Sequence, residues 1–82
     1  MQTETDLIHV ADIYAAALDV SETTVSSRVF ADSKKLRAVR DGASITVKRF
    51  NEALIWFSRN WPDGAVWPSH VERPSSSEGA AA

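Results

Sequence analysis

The segment VSETTVS at residues 20–26 is the most informative part of the sequence for predicting the fold. It follows an alanine-rich stretch at 11–18 whose apolar residues recur at helical spacing, and a short turn at 19–20 separates the two. The hydroxyl side chains open a second helix, in which Val25 and Val29 form the apolar face. Two helices joined by a tight turn, the second with small hydrogen-bonding side chains on its outer face, are typical of a helix-turn-helix.

Apolar spacing and helix-capping residues predict four helices, so the expected fold class is a small all-α, four-helix domain. The helices cover residues 4–18, 22–31 and 34–40, and a fourth begins at Ser44 or Thr46 and runs to about Asn60. Short hydroxyl side chains accept hydrogen bonds from the free N–H groups of a first turn. The N-caps expected for the first three helices are Thr3 or Thr5, Ser21 and Ser33. Gly42, which follows Asp41, should end the third helix by adopting the left-handed conformation.

The fourth predicted helix carries the strongest apolar pattern. Residues at spacings of three and four form its seam, namely Val47, Phe50, Leu54, Phe57 and Trp61. With Trp56 beside the seam, the apolar band is wider than four small helices can cover. Two explanations are open: a contact between two copies of the chain, or packing of the segment 67–68 back onto the helix. The candidate interface residues are Phe50, Trp56, Phe57 and Trp61.

Length and composition restrict the class of protein. The chain has 82 residues and no cysteine, which allows one small domain and excludes a disulfide scaffold and thiolate metal sites. No apolar run reaches the roughly 18 residues of a membrane span, and the acidic start differs from a secretion signal. We therefore expect a cytoplasmic protein without membrane contact. Residues 1–68 are predicted to form the domain, and residues 69–82, rich in Pro, Ser, Glu and Ala, a disordered tail.

Charge is unevenly distributed along the chain. The formal net charge is −2, but residues 1–22 carry −5, residues 23–49 carry +5 and residues 50–82 carry −2. The positive charge falls within and just after the second predicted helix. The charge of one face, rather than the total, decides whether a surface attracts phosphate. We interpret this segment as phosphate-facing; the alternative is a solvated surface of mixed charge.

Residue patterns that carry catalysis or bind metals are missing from the sequence. The two histidines, His9 and His70, are isolated from each other. The chain has no paired-carboxylate motif, no His-x-x-x-His and no glycine-rich phosphate loop. We therefore expect neither an enzyme nor a bound cofactor or metal.

The segment DVSETTVS at 19–26 resembles the turn and recognition helix of the lactose-repressor family, whose pattern is Gly-Val-Ser-x-x-Thr-Val-Ser. With the basic short helix and FSRNWP at 57–62, the chain also looks like small helix-turn-helix regulators of bacterial genomes and prophages. Two positions depart from the family. Asp19 replaces the glycine, although aspartate tolerates the left-handed conformation better than most residues. Ser27 precedes Arg28, which moves the family's arginine by one position, roughly 100° around the helix.

The resemblance implies roles for the hydroxyl and acidic side chains of the second helix. Glu22 and Thr23 match positions that read bases, whereas Ser21, Thr24 and Ser26 match positions near the DNA backbone. A glutamate can accept a hydrogen bond from a cytosine amino group, and a threonine can contact a thymine methyl. For Glu22, stabilisation of the helix dipole is an equally good explanation.

Basic side chains complete the predicted DNA surface. Ser27 and Arg28 lie on the outer face of the second helix, and Arg28 is the best candidate for a strong contact, bidentate to guanine or phosphate. The phosphate-binding candidates that follow the helix are Lys34, Lys35 and Arg37. Such contacts fix register on the duplex without reading its sequence.

The sequence therefore predicts a transcriptional regulator that binds double-stranded DNA sequence-specifically. The helix at 22–31 would lie in the major groove, and a homodimer would bind two half-sites. The alternative is a helical protein-interaction module, in which the aromatic band of the fourth helix docks a partner regulator or another protein of the transcription machinery.

Overall fold

The computed structural model describes residues 4–74, which form four helices and no strand. Helix α1 covers Glu4–Leu18, α2 covers Glu22–Phe30, α3 covers Lys35–Arg40 and α4 covers Val47–Arg59. The predicted all-α class is confirmed. Of the two starts predicted for the fourth helix, Thr46 is its N-cap, and the other predicted boundaries within these residues lie within one residue of the observed ones. The cap predicted at Thr3 lies outside the described residues, and Thr5 is inside α1 rather than at its cap.

The turn between α1 and α2 has the conformation that its sequence predicts. Asp19 adopts the left-handed conformation with φ 55°, and the Val20 N–H donates to the Ala15 carbonyl at 3.0 Å. Ser21 is then the N-cap of α2, where its Oγ accepts from the Thr24 N–H at 3.2 Å. Both the glycine-like role of Asp19 and the cap at Ser21 are therefore confirmed.

The start of α3 differs from the prediction that Ser33 caps it. Lys34 occupies the N-cap position without a side-chain cap bond, while Asp32 Oδ1 accepts from the Lys34 N–H at 2.9 Å. The Leu36 N–H donates instead to Ser26 Oγ, at 3.0 Å. A serine from α2 thus satisfies a free N–H group in the first turn of α3, which joins the two helices.

The core lies where α1 and α4 pack against the short helices. Its apolar members from the four helices are Leu7, Ile8, Val10, Ala11, Tyr14, Val25, Phe30, Leu36, Val39, Ala53, Leu54 and Phe57. Two residues that the apolar pattern placed inside are exposed: Leu18 by 41% and Val47 by 76%. Both lie at helix ends, Leu18 being the last residue of α1 and Val47 the first of α4, where fewer neighbouring side chains can cover them.

The segment after α4 folds back and covers its aromatic side. The rings of Trp61 and Trp67 are 4.8 Å apart, Trp67 Nε1 donates to the Val71 carbonyl at 2.8 Å, and Val71 is only 2% exposed. Ser58 Oγ donates to the Pro74 carbonyl at 2.6 Å. The packed segment thus extends beyond residue 68, the predicted end of the domain, as far as Pro74. The rest of the predicted tail, 75–82, lies outside the described residues.

Packing within the chain accounts for part of the wide aromatic band. Phe57 is fully buried, and its ring packs 5.5 Å from that of Tyr14 and 5.4 Å from that of Trp56. The other three candidate interface residues, Phe50, Trp56 and Trp61, are half-buried against the same core. The assignment of Phe57 to an interface is wrong, since no surface of its ring is left for a partner.

Candidate nucleic-acid interface

The outer face of α2 presents a short row of polar side chains. Thr23, Ser27 and Arg28 are exposed, while Val25 and Ser26 on the opposite side are buried. With Ser21 capping the helix, these exposed side chains lie on one regular helical surface. The row is the feature that a groove-binding helix needs, because base edges are read by side chains that project from a rigid element.

Ser26 does not belong to this row, contrary to the prediction that it contacts the DNA backbone. It is 0% exposed, and its hydroxyl donates to the Asp32 carbonyl while accepting from the Leu36 N–H. A hydroxyl has one donor and two acceptor sites, so these two bonds satisfy its main hydrogen-bonding capacity. Ser26 therefore holds α3 against α2 and is not accessible to a ligand.

The hydroxyls at the start of α2 form a small cluster. Ser21 Oγ lies 3.0 Å from Thr23 Oγ1 and 3.0 Å from Thr24 Oγ1. Ser21 and Thr23 are exposed, and Thr24 is half-buried. The three predicted contact residues are thus brought together, with Ser21 held in place by its capping bond.

The Glu22 carboxylate forms an ion pair with Arg40 within the protein. Arg40 Nε donates to Glu22 Oε1 at 2.8 Å, and Arg40 Nη2 donates to Asp12 Oδ1 at 2.5 Å. Hydrogen bonds to Asp12 and then to Glu22 raise the pKa of Arg40 above its usual value, so the guanidinium remains charged at physiological pH. This arrangement joins α1, α2 and α3, and it leaves the Glu22 carboxylate bound to Arg40 rather than pointing to a base.

The Arg28 side chain is exposed, but a hydrogen bond to a core residue fixes its orientation. Its Nη1 donates to the Tyr14 hydroxyl at 3.2 Å, and Tyr14 in turn packs against the Trp56 ring at 5.5 Å. One side of the guanidinium is therefore fixed, while its other N–H groups remain available. An arginine held in this way loses less side-chain entropy when it binds a phosphate or a guanine.

The predicted phosphate-binding residues surround the C-terminal half of α2. Lys34 and Arg37 are exposed and Lys35 is half-buried; Arg37 pairs with Asp41 at 3.3 Å, with 70% of its side chain exposed. Surface pairs of this kind contribute little energy, so they can be exchanged for a phosphate. The basic side chains near the connection between α2 and α3 are therefore at least partly accessible to solvent.

Sequence reasoning missed one basic residue beside this surface. The guanidinium carbon of Arg49, in the first turn of α4, lies 5.7 Å from the ring centre of Phe30 at the end of α2. Arg49 was counted in the net charge of residues 23–49 but was not connected with α2, because it is separated from Phe30 by 19 positions. Only the contact between two helix ends reveals that it extends the basic surface.

Two features are not found among the described residues: a cluster of three or more metal-ligand side chains and a membrane-spanning helix. Within 4–74, no three or more His, Cys, Asp or Glu residues are grouped so that they could hold a metal ion. None of the helices in that range combines the length and the apolar character that crossing a membrane requires. Comparisons of the chain with family models, with curated proteins and with solved structures found no match. The fold and this surface therefore define a small four-helix protein with a polar, partly basic face.

Proposed function

We propose that this protein binds double-stranded DNA sequence-specifically as a transcriptional regulator, with α1, the turn and α2 acting as a helix-turn-helix. The observation that carries the proposal is the exposed row of Thr23, Ser27 and Arg28 on α2. The row follows a turn with left-handed Asp19 and a capping serine, as the resemblance to the lactose-repressor family requires. In this proposal α2 enters the major groove.

Charge within the protein supports this orientation. The acidic side chains Asp12 and Glu22 are paired with Arg40, which reduces their repulsion of phosphate at the N-terminal end of α2. At the other end, Arg28, Lys34 and Arg49 offer positive charge. The α2 surface therefore attracts a polyanion mainly through its C-terminal half, and the acidic excess of the chain does not prevent binding.

Specific recognition in this proposal comes from few residues. Thr23 and Ser27 are the base-reading candidates on the exposed row, whereas Lys34, Lys35 and Arg37 contact phosphates. Because one helix of nine residues reads a short site, a homodimer on two half-sites about one helical turn apart is the arrangement we propose.

The test is the salt dependence of binding to duplex DNA, measured by fluorescence anisotropy. Lys34→Glu should weaken binding at low salt at least tenfold and reduce the slope of log K against log salt by about one unit. The matched control is Arg59→Glu, which makes the same charge change on an exposed residue at the far end of α4 and should change binding much less. Equal losses in both variants, or no binding by the unaltered protein at low salt, would contradict the proposal.

Sequence specificity needs a separate measurement. Selection of bound sequences from a random duplex pool should return a two-fold symmetric site if a homodimer binds. Thr23→Ala should then weaken binding to the selected site by roughly 1–3 kcal/mol without changing binding to random duplex. The protein-docking alternative receives no comparable support, because Phe57 is fully buried and the other three aromatic side chains proposed for it are half-buried against the core.

A further inference from the structure

The two histidines of the chain, the only ones it has, meet on the surface of the fold. His9 lies on α1 and His70 in the segment after α4, 61 positions apart. His9 Nδ1 and His70 Nε2 are 3.2 Å apart. No motif or spacing connects the two positions, and the tertiary fold alone brings the two imidazoles together.

The contact is a hydrogen bond when one nitrogen carries a proton, and its spacing also suits two ligands of one metal ion. The ring centres are 4.9 Å apart and the ring planes are inclined by 32°. Two nitrogens that bind one Zn²⁺ at about 2.0–2.1 Å with tetrahedral geometry lie about 3.3 Å apart. The observed separation of 3.2 Å needs only a small adjustment to reach this arrangement.

The surroundings of the pair suit a cation. Asp6 Oδ1 lies 3.7 Å from His70 Nε2, which places negative charge beside the two rings. The His70 side chain is 53% exposed, and His9 is also exposed, so an ion can reach the nitrogens from solvent. Since residues 4–74 provide no three-residue metal group, water molecules would complete the coordination shell.

We propose that His9 and His70 together bind one divalent transition-metal ion of the class that prefers imidazole, which includes Zn²⁺, Ni²⁺ and Cu²⁺. The ion links the segment after α4 to α1 and so stabilises the covering of the aromatic side of α4. This site is separate from the α2 surface, and its existence does not depend on DNA binding.

The first test is thermal unfolding of chelator-treated protein with increasing ZnCl₂, followed by circular dichroism. A ligand that binds only the folded state raises Tm, and for a domain of this size the rise should be about 10 °C when free Zn²⁺ exceeds its Kd about hundredfold. His70→Gln and His9→Gln should each abolish the rise. Glu72→Gln is the matched control: it removes a neighbouring exposed carboxylate and should retain the rise.

The second test uses the unaltered chain, so it does not depend on how the variants fold. In NMR spectra of ¹⁵N-labelled protein, resonances of both imidazoles should change together and saturate at one Zn²⁺ per chain. Sedimentation should show the same monomer or dimer with and without the ion. The proposal is overturned if neither Zn²⁺ nor Ni²⁺ shifts Tm, if either histidine variant keeps the full rise, if only one imidazole responds, or if the ion assembles chains that were separate.

Discussion

The outer face of α2 and the aromatic side of α4 are the two surfaces that the sequence marks most strongly, and the fold treats them differently. The face of α2 stays open, with Thr23, Ser27 and Arg28 exposed. The aromatic side of α4 is covered, because Phe57 is fully buried and Trp61 packs against Trp67. A helix pattern therefore identifies which face is polar or apolar, but the neighbours of the helix decide whether that face remains free.

Substitutions on the two surfaces should change different properties of the protein. Side chains of the α2 row are exposed, so replacing them should affect binding more than folding. The aromatic side chains of the other surface are buried or half-buried against the core, so replacing them should affect folding first. The following three substitutions test this difference, in decreasing order of expected effect.

The largest effect is expected at the centre of the aromatic cluster. Phe57→Ala should lower the free energy of unfolding by about 3–5 kcal/mol, because it removes a buried ring and leaves a cavity. This is a large share of the total for a domain of this size, so urea denaturation followed by circular dichroism should show a mostly unfolded variant. Ile55→Ala, on the same helix but 39% exposed, should cost much less. Similar losses at both positions would mean that Phe57 is not the packed residue of this helix.

An intermediate effect is expected from the two adjacent serines of α2. Ser26→Ala should cost about 2 kcal/mol, because the buried Leu36 N–H loses its acceptor and an unsatisfied buried donor is expensive. Ser27→Ala makes the same chemical change at an exposed position and should stay within about 0.5 kcal/mol. Urea unfolding of both variants measures the difference. If Ser27 proves the more costly position, the assignment of Ser26 as the bond between α2 and α3 is wrong.

The smallest of the three effects is expected in the segment that covers α4. Val71→Ala should lower the free energy of unfolding by about 1.5 kcal/mol. The substitution removes two buried methyl groups, and burial of each carbon contributes about 0.8 kcal/mol. Val66→Ala, in the same segment but 80% exposed, is the control and should cause little change in Tm. No difference between the two valines would show that the segment 69–74 does not pack on the domain in solution.

Much of the fold is predictable from local sequence. Ser21 and Thr46 cap their helices as expected, and Gly42 ends α3 with φ 108°. These features depend on residues within a few positions of each other, which a sequence pattern contains. The cap of α3 is different: Ser33 has the residue type of a cap, but Lys34 occupies the N-cap position, and the Leu36 N–H bonds to Ser26, ten positions earlier. No local pattern indicates which of the two serines is used.

The sequence predicts what kinds of residue form the candidate site, but it does not identify every residue of the site correctly. Thr23, Ser27 and Arg28 are exposed as expected, because their positions follow from the helical repeat of α2. Glu22 had two equally good predicted roles, base reading and stabilisation of the helix dipole, but its carboxylate binds Arg40, 18 positions later. That pairing depends on how α3 packs across α2, which residue spacing does not specify.

Local sequence is sufficient to specify the four helices, the turn at Asp19 and the polar face of α2, because helical periodicity and capping act between residues close in the chain. The three-dimensional packing of the chain was needed to show that Ser26 is internal, that Trp67 and Val71 pack against the core, and that His9 meets His70. Each of these contacts joins residues that are distant along the chain. Whether such residues meet depends on how the helices and the segment after α4 pack, which local residue spacing does not specify.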